Sequence, residues 1–502
     1  MATPASGTIH EQTLDPDNWD ELRALGHRMV DDMVAFLAGV RDRPVWQATS
    51  AEARAAFAEP APREGAGAVG AYEDFVAHVL PYPMGNIHPR FWGWVIGTGT
   101  LNGAYAEMLA AAMNPNVGGG DHAAPRVEAQ VVDWCREMLG YPAGASGLLV
   151  TGASEANLLG LAVARQATPG VDVRARGVRA AAGPLSVYAS SEAHGSVRKA
   201  VELLGLGTDG LRLAPVRSDF SVDVDALARM IRDDRDAGMV PMAIVANAGT
   251  VNTGAFDDIP ALADVAAAER IWLHVDGAFG ALAALAPDCV SEENRRSLDA
   301  MARADSLGFD LHKWMYMPYD VGCVLVRDAA LHHATFSLTP SYLQRATRGL
   351  AAGDYWPSDY GMQLSRGFRA LKAWMLLKEH GVETYASQIR KNVAQAAYLA
   401  SLVDEAPDME RVAPAPLNIV CFRYVGDGAA GNGEALDALN RELLVRLQES
   451  GVAFPTNAII GGRYAIRVAI SNHRSRREDF DLLIDEVRRL GRQLAAESPP
   501  PR

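Results

Sequence analysis

Short, largely apolar runs separated by helical stretches dominate the middle of the chain. These runs lie at residues 148–150, 186–189, 243–246, 271–275 and 323–326. Strands that are apolar along nearly their whole length are typical of a parallel sheet that helices cover on both faces. The pattern therefore predicts an α/β fold with a mainly parallel central sheet.

The N-terminal region has the pattern of an amphipathic helix. Leu22, Met29, Met33 and Phe36 recur at near-helical spacing, and they follow Asn18, a residue type that commonly caps a helix. We expect this helix to present an apolar face that packs on a second subunit.

The alternation of strands and helices becomes sparser after about residue 375. Residues 417–424 and 465–471 have the composition of strands, and Phe480, Leu483 and Val487 then recur at helical spacing. This region is predicted to be a small C-terminal α/β domain. Since 502 residues are too many for one ordinary core, we expect three parts. They are an N-terminal helical segment (1–99), a large domain (100–375) and the small domain (376–502).

Composition and charge narrow the possible functions. The formal net charge of −14 argues against a nucleic-acid partner, whose phosphates require a basic surface, and against binding to anionic membranes. No run approaches the roughly 18 apolar residues of a membrane span, and no secretory signal pattern is visible. The four cysteines are widely spaced, so neither disulfides nor a metal site is predicted. These features indicate a cytoplasmic protein.

Polar residues that directly follow the predicted strands are the first candidates for chemistry, because ligands of such sheets bind beyond the carboxyl ends of the strands. After residue 150 comes the turn Thr-Gly-Ala-Ser-Glu-Ala-Asn, which opens a helix. Backbone N–H groups at a helix N-terminus attract an anion, and the Ser154 hydroxyl adds a donor. The same residues are also compatible with an ordinary helix cap.

Three further strand ends carry titratable side chains. Asp276 follows one buried run, where a carboxylate can hold a proton on a heterocyclic nitrogen. Lys313 has apolar and aromatic neighbours, and burial favours the neutral amine that forms a Schiff base. His194 follows another run, where an imidazole can stack on a flat cofactor or transfer a proton.

Each of these side chains has a structural alternative when it is taken alone. The aspartate can cap a turn, the lysine can extend its amine to solvent over an apolar surface, and the histidine can simply pack. Taken together with the anion-binding turn, however, they form the set of groups that pyridoxal 5′-phosphate (PLP) requires.

Three segments of the sequence resemble the group II PLP-dependent decarboxylases, a family that includes the aromatic-L-amino-acid decarboxylases. The segments are residues 151–157, residues 272–278 (Trp-Leu-His-Val-Asp-Gly-Ala) and residues 310–314 (Asp-Leu-His-Lys-Trp). The resemblance extends over nearly the whole chain and implies PLP-dependent transferase fold type I, the fold of aspartate aminotransferase. It also implies a homodimer whose active sites take residues from both subunits.

The resemblance implies a role for each matching residue. Lys313 forms the Schiff base with PLP, and Asp276 pairs with the pyridine nitrogen. Tyr342 matches the loop tyrosine that protonates the substrate carbon after carbon dioxide leaves. The further cofactor contacts that it implies are made by Ala153, Ser154, His194, Thr250, Ala278 and His312.

The resemblance favours decarboxylation of an L-amino acid, in the first place an aromatic one, to the amine and carbon dioxide. Tyr342 and His194 both match decarboxylases, although oxidative deamination to an aldehyde stays open. A binding or regulatory protein without turnover is disfavoured because the set of catalytic residues is complete.

The side chains that select the substrate are less certain from sequence. Candidates for substrate contact are His88, Arg90, Trp94 and Ser365. Arg90 leaves decarboxylation of an acidic amino acid open, because a guanidinium group pairs with a carboxylate. Ser365 matches a position where serine accompanies phenolic substrates in some relatives.

Overall fold

The computed structural model describes residues 13–170, 172–338, 346–426 and 433–497. The chain divides into two compact units, and the boundary in sequence lies between Met84 and Gly85. Each unit is built around its own set of elements.

The first unit is helical. Its α-helices are α1 (Trp19–Ala38), α2 (Ala51–Ala56) and α3 (Gly67–Asp74). The Asn18 side chain caps α1 by accepting hydrogen bonds from the backbone N–H groups of Asp20 and Glu21. Phe36 is buried on the apolar face of this helix, so the predicted amphipathic helix is confirmed.

A seven-stranded sheet forms the centre of the second unit, with the order β1-β7-β6-β5-β4-β2-β3. β7 runs antiparallel to both of its neighbours, whereas the other neighbouring pairs are parallel. The predicted mainly parallel sheet is therefore confirmed. Its strands are β1 (Ser146–Val150), β2 (Leu185–Ser190), β3 (Leu211–Ala214), β4 (Val240–Asn247), β5 (Trp272–Asp276), β6 (Ser306–Asp310) and β7 (Gly322–Val326).

Helices cover this sheet on both faces, since every residue of β2, β6 and β7 is buried. Across the described parts of the chain, no helix combines the length and the apolar content that crossing a bilayer would require. The helices are α4 (Leu101–Met113), α5 (Ala123–Met138), α6 (Ala153–Ala167), α7 (Val173–Arg176), α8 (Gly195–Leu203), α9 (Val224–Asp236), α10 (Ile259–Glu269), α11 (Glu292–Ala300), α12 (Leu311–Trp314) and α13 (Ala329–Phe336).

A smaller, antiparallel sheet follows in the C-terminal part of the second unit, with the order β10-β11-β9-β8. Its strands are β8 (Met409–Arg411), β9 (Ile419–Tyr424), β10 (Thr456–Ile460) and β11 (Arg463–Ala469). The accompanying helices are α14 (Ala370–Glu405), α15 (Gly433–Glu449) and α16 (Arg477–Glu497). The boundary predicted at 375/376 falls within α14, which bends at Gly381 (φ +68°), and the three-part division stays a prediction.

The strand register brings several strand ends to one edge of the large sheet. Asn247, at the end of β4, is the partner of Asp276, at the end of β5. Val150 and Asp310 end β1 and β6, and both are partners of Gly322. A side chain at Gly322 would place its Cβ 2.8 Å from Asp310 Oδ1, so the two strand ends approach closely only because this residue is glycine.

Candidate active site

A cavity of about 410 Å³ opens at this edge of the large sheet. Strand ends form its floor, and the aromatic side chains of Trp94, Phe279 and Tyr319 contribute to its wall. It brings together eight of the residues predicted from sequence: Trp94, Ala153, Ser154, His194, Asp276, Ala278, His312 and Lys313. The other lining residues are Val95, Ile96, Thr151, Gly152, Asn247, Gly249, Val251, Phe279, Asp310 and Tyr319.

Asp276 is a buried carboxylate that accepts hydrogen bonds from two donors. It ends β5 and is only 5% exposed. Its Oδ2 accepts a hydrogen bond from Asn157 Nδ2 at 2.8 Å, and its Oδ1 accepts one from the backbone N–H of Ala278 at 3.1 Å. Donors of this kind stabilise a buried carboxylate in its anionic form. An anion held in this way fits a protonated ring nitrogen.

Lys313 lies in α12, the single helical turn that directly follows β6. Its side chain is 20% exposed, and its Nζ lies 2.8 Å from Asp310 Oδ2. The other carboxylate oxygen of Asp310 accepts a hydrogen bond from the backbone N–H of Ala153 at 2.6 Å. Asp310 therefore connects the lysine to the first turn of α6, a contact that the sequence did not predict.

The end of the cavity that is predicted to bind an anion combines this first helical turn with His312. Ser154 is exposed in the turn, where backbone N–H groups have no partner within the helix. His312 Nδ1 accepts a hydrogen bond from the Val321 backbone N–H at 3.1 Å. Burial lowers the pKa of His312, so its ring is neutral near pH 7 and carries its proton on Nε2. A phosphate group fits such donors.

His194 forms the wall at the end of β2 and caps α8. Its Nδ1 accepts a hydrogen bond from the backbone N–H of Ser196 at 3.2 Å. Burial lowers the pKa of His194, so the neutral imidazole is the dominant form near pH 7. A neutral, flat ring at this position is suited to packing against the face of a planar cofactor.

Four predicted cofactor or substrate residues do not line the cavity, Thr250 and Ser365 among them, and a fifth lies outside the described residues. Thr250 is buried in the turn after β4, and its Oγ1 lies 3.0 Å from Thr253 Oγ1. Ser365 is exposed, away from the lining residues. Tyr342 lies outside the described residues, so its role stays a prediction.

The structure also places His88 and Arg90 away from the cavity wall. His88 is buried, and its Nδ1 accepts a hydrogen bond from the backbone N–H of Arg90 at 3.0 Å. The Arg90 Nε donates to the carbonyl oxygen of Val452 at 2.6 Å, and its guanidinium lies 3.9 Å from Asp479 Oδ1. Both side chains therefore contact the C-terminal part of the unit rather than the cavity.

Sequence reasoning missed three polar residues at the site. Tyr319 and Asn247 line the cavity, and Asn157 contacts Asp276 from behind. The sequence contained a signal for Asn157. It is a polar residue at the start of a strongly apolar helical run, and such a residue requires a hydrogen-bond partner when it is buried. Tyr319 had none, since it lies in an irregular loop.

Comparisons with known proteins agree with this geometry. Residues 71–425 match the pyridoxal-dependent decarboxylase conserved domain. The aromatic-L-amino-acid decarboxylase of Bacillus atrophaeus is 31% identical over 483 residues, which cover 96% of this chain and 97% of that protein. The phenylacetaldehyde synthase of Arabidopsis thaliana is 29% identical over 472 residues, which cover 91% of this chain and 93% of that protein.

Solved structures are similar over the same length. The crystal structure of Oryza sativa TDC with PLP and tryptamine has a TM-score of 0.87 and 29% identity, and the match covers 96% of this chain and 100% of that chain. The predicted fold type I is thereby confirmed. The chain belongs to the family of pyridoxal-dependent decarboxylases.

Proposed function

We propose that this chain decarboxylates an aromatic L-amino acid to the corresponding amine and carbon dioxide, with PLP held on Lys313. The observation that carries the proposal is the meeting of Lys313, Asp276 and His194 around one cavity. Family membership supports the reaction class and the cofactor.

PLP, when bound, supplies an electron sink for the bond between the substrate Cα and its carboxylate. Lys313 would hold the cofactor covalently until substrate displaces it, and Asp276 would keep the ring nitrogen protonated. The ring would lie between His194 and Ala278. The phosphate would be held by Ala153, Ser154 and His312, all of which line the cavity.

Proton delivery completes the reaction after carbon dioxide has left. We assign this step to the hydroxyl of Tyr342, which donates a proton to the substrate Cα or relays one from His194. This assignment rests on the resemblance of the segment around Tyr342 to the family. The neutral state of His194 near pH 7 is compatible with the Nε2–H acting as a donor.

An aromatic substrate is favoured by the composition of the cavity wall. Trp94, Ile96 and Phe279 supply apolar surface there. Among the described lining residues, Lys313 is the only lysine or arginine, and it lies beside Asp310. A substrate with an acidic side chain would need a second cation, and Arg90 does not line the cavity. The names of the relatives agree with an aromatic substrate.

We further propose that the protein acts as a cytoplasmic homodimer. The net charge of −14 and the absence of a spanning helix in the described residues are compatible with this location. Ser365 is exposed outside the cavity of its own chain, so a contact between Ser365 and substrate would require a second subunit.

The test is to incubate the PLP-loaded protein with each of the twenty amino acids and to identify all products. We expect amine and carbon dioxide in a 1:1 ratio from phenylalanine, tyrosine or tryptophan. Aldehyde, carbon dioxide, ammonia and hydrogen peroxide without any amine would instead assign the chain to the aldehyde-forming enzymes, to which it is also similar. Selective turnover of glutamate or aspartate would contradict the aromatic assignment.

A further inference from the structure

A chain of buried hydrogen bonds runs behind the cavity, between β5, β6 and α6. Trp272 Nε1 donates to Ser306 Oγ at 2.8 Å, and Ser306 Oγ lies 2.8 Å from His274 Nδ1. His274 Nε2 lies 2.9 Å from Asn157 Oδ1. Ser306, His274 and Asn157 are all completely buried, so water cannot replace these partners.

The direction of each hydrogen bond in this chain is determined from one end. An indole N–H can only donate, so the Ser306 oxygen accepts from Trp272. Among the described residues, the Ser306 hydroxyl has His274 Nδ1 as its remaining partner, so its O–H donates to that nitrogen. Burial lowers the pKa of His274 to about 4, so the ring is neutral and its proton lies on Nε2. That N–H therefore donates to Asn157 Oδ1, which fixes the orientation of the Asn157 amide.

The NH₂ group of Asn157 consequently points the other way and serves two acceptors. Its Nδ2 donates to Asp276 Oδ2 at 2.8 Å and to Ser196 Oγ at 3.0 Å. Ser196 Oγ lies 2.8 Å from His194 Nδ1, and the backbone N–H of Ser196 also donates to that nitrogen. The proton of neutral His194 is therefore on Nε2.

The packing of α6 against the sheet is adapted to this chain. A Cβ atom at Gly160 would lie 2.6 Å from His274 Nδ1 and 3.0 Å from Ser306 Oγ. A larger residue would push the helix away from β5 and would separate Asn157 from His274. The glycine therefore permits the close approach on which the contact between helix and strand depends.

We propose that Asn157 is a positioning residue that holds Asp276 as an oriented anion and, through Ser196, holds His194 with its proton on Nε2. The inference rests on the proposed function, because it concerns the two side chains assigned to the cofactor ring. The charged groups around His194 are Asp276, Asp310, Lys313 and Lys199. None of these groups donates to His194 Nδ1, so the tautomer depends on Ser196.

The contact of Asn157 with Asp276 and the contact of Ser196 with His194 predict different phenotypes when each is lost. Without the Asn157 donor, Asp276 loses a hydrogen bond that orients its carboxylate, so it pairs less well with a protonated ring nitrogen and leaves less positive charge on the cofactor ring. Asn157→Leu should therefore weaken PLP binding by about 10-fold or more and raise the pH midpoint of the visible absorption of the loaded protein by on the order of one unit. Ser196→Ala should leave PLP affinity within about twofold of wild type, because Asp276 keeps its Asn157 donor, and should shift the pH profile of turnover, because His194 loses its hydroxyl partner.

The experiment measures PLP affinity and the pH titration of the visible absorption, with Asn440→Leu as the matched control. Asn440 is also completely buried, in the C-terminal part of the second unit. Its Oδ1 accepts a hydrogen bond from the Tyr424 backbone N–H at 2.8 Å, and its Nδ2 donates to the Tyr424 carbonyl oxygen at 2.9 Å. This control should lower the midpoint of thermal unfolding without moving the absorption titration. If Asn157→Leu does not fold, Ser306→Ala disturbs the same chain of hydrogen bonds. It should raise the pH midpoint of the visible absorption by a smaller amount.

Wild-type PLP affinity and an unmoved titration in Asn157→Leu would overturn the proposal, as would changes no larger than those of Asn440→Leu. If only Ser306→Ala folds, an unchanged pH titration of its visible absorption would likewise overturn the proposal. Neither readout needs a substrate. Failure of the proposed function, seen as a PLP-loaded wild type that releases no amine, is therefore distinguishable from failure of this inference.

Discussion

The ammonium nitrogen of Lys313 lies 2.8 Å from a carboxylate oxygen of Asp310. Because Asp310 is only 3% exposed and its other oxygen bonds the first turn of α6, it aligns the lysine with the anion-binding end of the cavity. The lysine proposed to attach PLP and the turn proposed to bind its phosphate thus contact one buried side chain.

Gly322→Ala should disturb the position of Asp310. The added Cβ would lie 2.7 Å from Gly152 Cα and 2.8 Å from Asp310 Oδ1, and the backbone atom cannot move without shifting the turn before α6. We expect a loss of about 1–3 kcal/mol in stability and weaker PLP binding, measured by thermal unfolding and by PLP titration. Gly144→Ala is the control, since a Cβ there meets nothing within 4 Å. Equal behaviour of the two variants would contradict the packing argument.

Tyr342→Phe should change the products rather than abolish cofactor binding. Without its hydroxyl, amine formation is expected to fall by about 10²-fold, the usual contribution of a general acid. The competing route consumes dioxygen and water and releases aldehyde, carbon dioxide, ammonia and hydrogen peroxide, and its share should rise. Quantifying amine and peroxide in the same reaction measures the partition. Tyr398→Phe should leave this ratio unchanged, because the Tyr398 hydroxyl lies against Asp481 in the C-terminal part of the second unit. An unaltered ratio in Tyr342→Phe would remove Tyr342 from its assigned role.

Arg90→Ala should reduce stability without changing substrate preference. The guanidinium bonds the Val452 carbonyl and lies 3.9 Å from the buried Asp479 carboxylate. Its loss should cost about 1–3 kcal/mol, because these buried acceptors lose a charged donor. The ratio of kcat/KM for aromatic over acidic amino acids should stay within about twofold. A selective loss of glutamate or aspartate turnover would show that Arg90 contacts substrate after all.

His332 makes stability depend on pH. It is completely buried, with Nδ1 2.9 Å from Ser146 Oγ and Nε2 2.9 Å from the Tyr360 carbonyl, and burial lowers its pKa to about 4. The unfolded chain protonates this ring near pH 6.5, so its neutral burial costs stability progressively as the pH falls from about 6.5 towards 4.

Replacement of His332 by Gln should therefore help at acid pH. Between pH 7 and pH 5 the unfolding free energy of His332→Gln should gain about 2 kcal/mol relative to wild type. Denaturant titrations at the two pH values measure this difference. His122→Gln is the control, because His122 lies at the surface end of α5 and makes no such buried contacts. A constant difference between His332→Gln and wild type across this range would contradict the assignment of a neutral buried ring.

The sheet and the floor of the cavity were predictable because they follow from local patterns. Apolar runs identified five of the strands in the large sheet, and the polar residues after them include Asp276 and His194. The carboxyl ends of parallel strands lie at the same edge of a sheet. Residues that directly follow such strands are therefore expected to lie close together. β3 was missed because it is a short edge strand with partly exposed residues.

The side-chain contacts that complete the site were not predictable in the same way. Arg90 directly precedes an aromatic-rich segment that reaches the cavity at Trp94, yet its own side chain turns towards Val452. Asn157 lies on a helix whose periodicity does not show which strand it faces. Such contacts depend on how helices and loops pack on the sheet, which the pattern of apolar residues leaves undetermined.

The many Ala, Glu, Pro and Gly residues between positions 49 and 70 are typical of a surface connector, yet the structure contains α2 within this segment. Ser50 accepts a hydrogen bond from the Ala53 backbone N–H, and the Ala, Glu and Arg residues that follow favour a helix. Here a capping signal and helix propensity together outweighed the overall composition.

Borohydride reduction of the PLP-loaded protein, followed by peptide mapping, tests the central claim most directly. The account predicts one reduced cofactor adduct, on Lys313. Lys372 is an internal control, because it is more deeply buried than Lys313 and burial lowers its pKa, but it pairs with Glu107 away from the cavity. An adduct on Lys372, or no adduct on Lys313, would contradict the account.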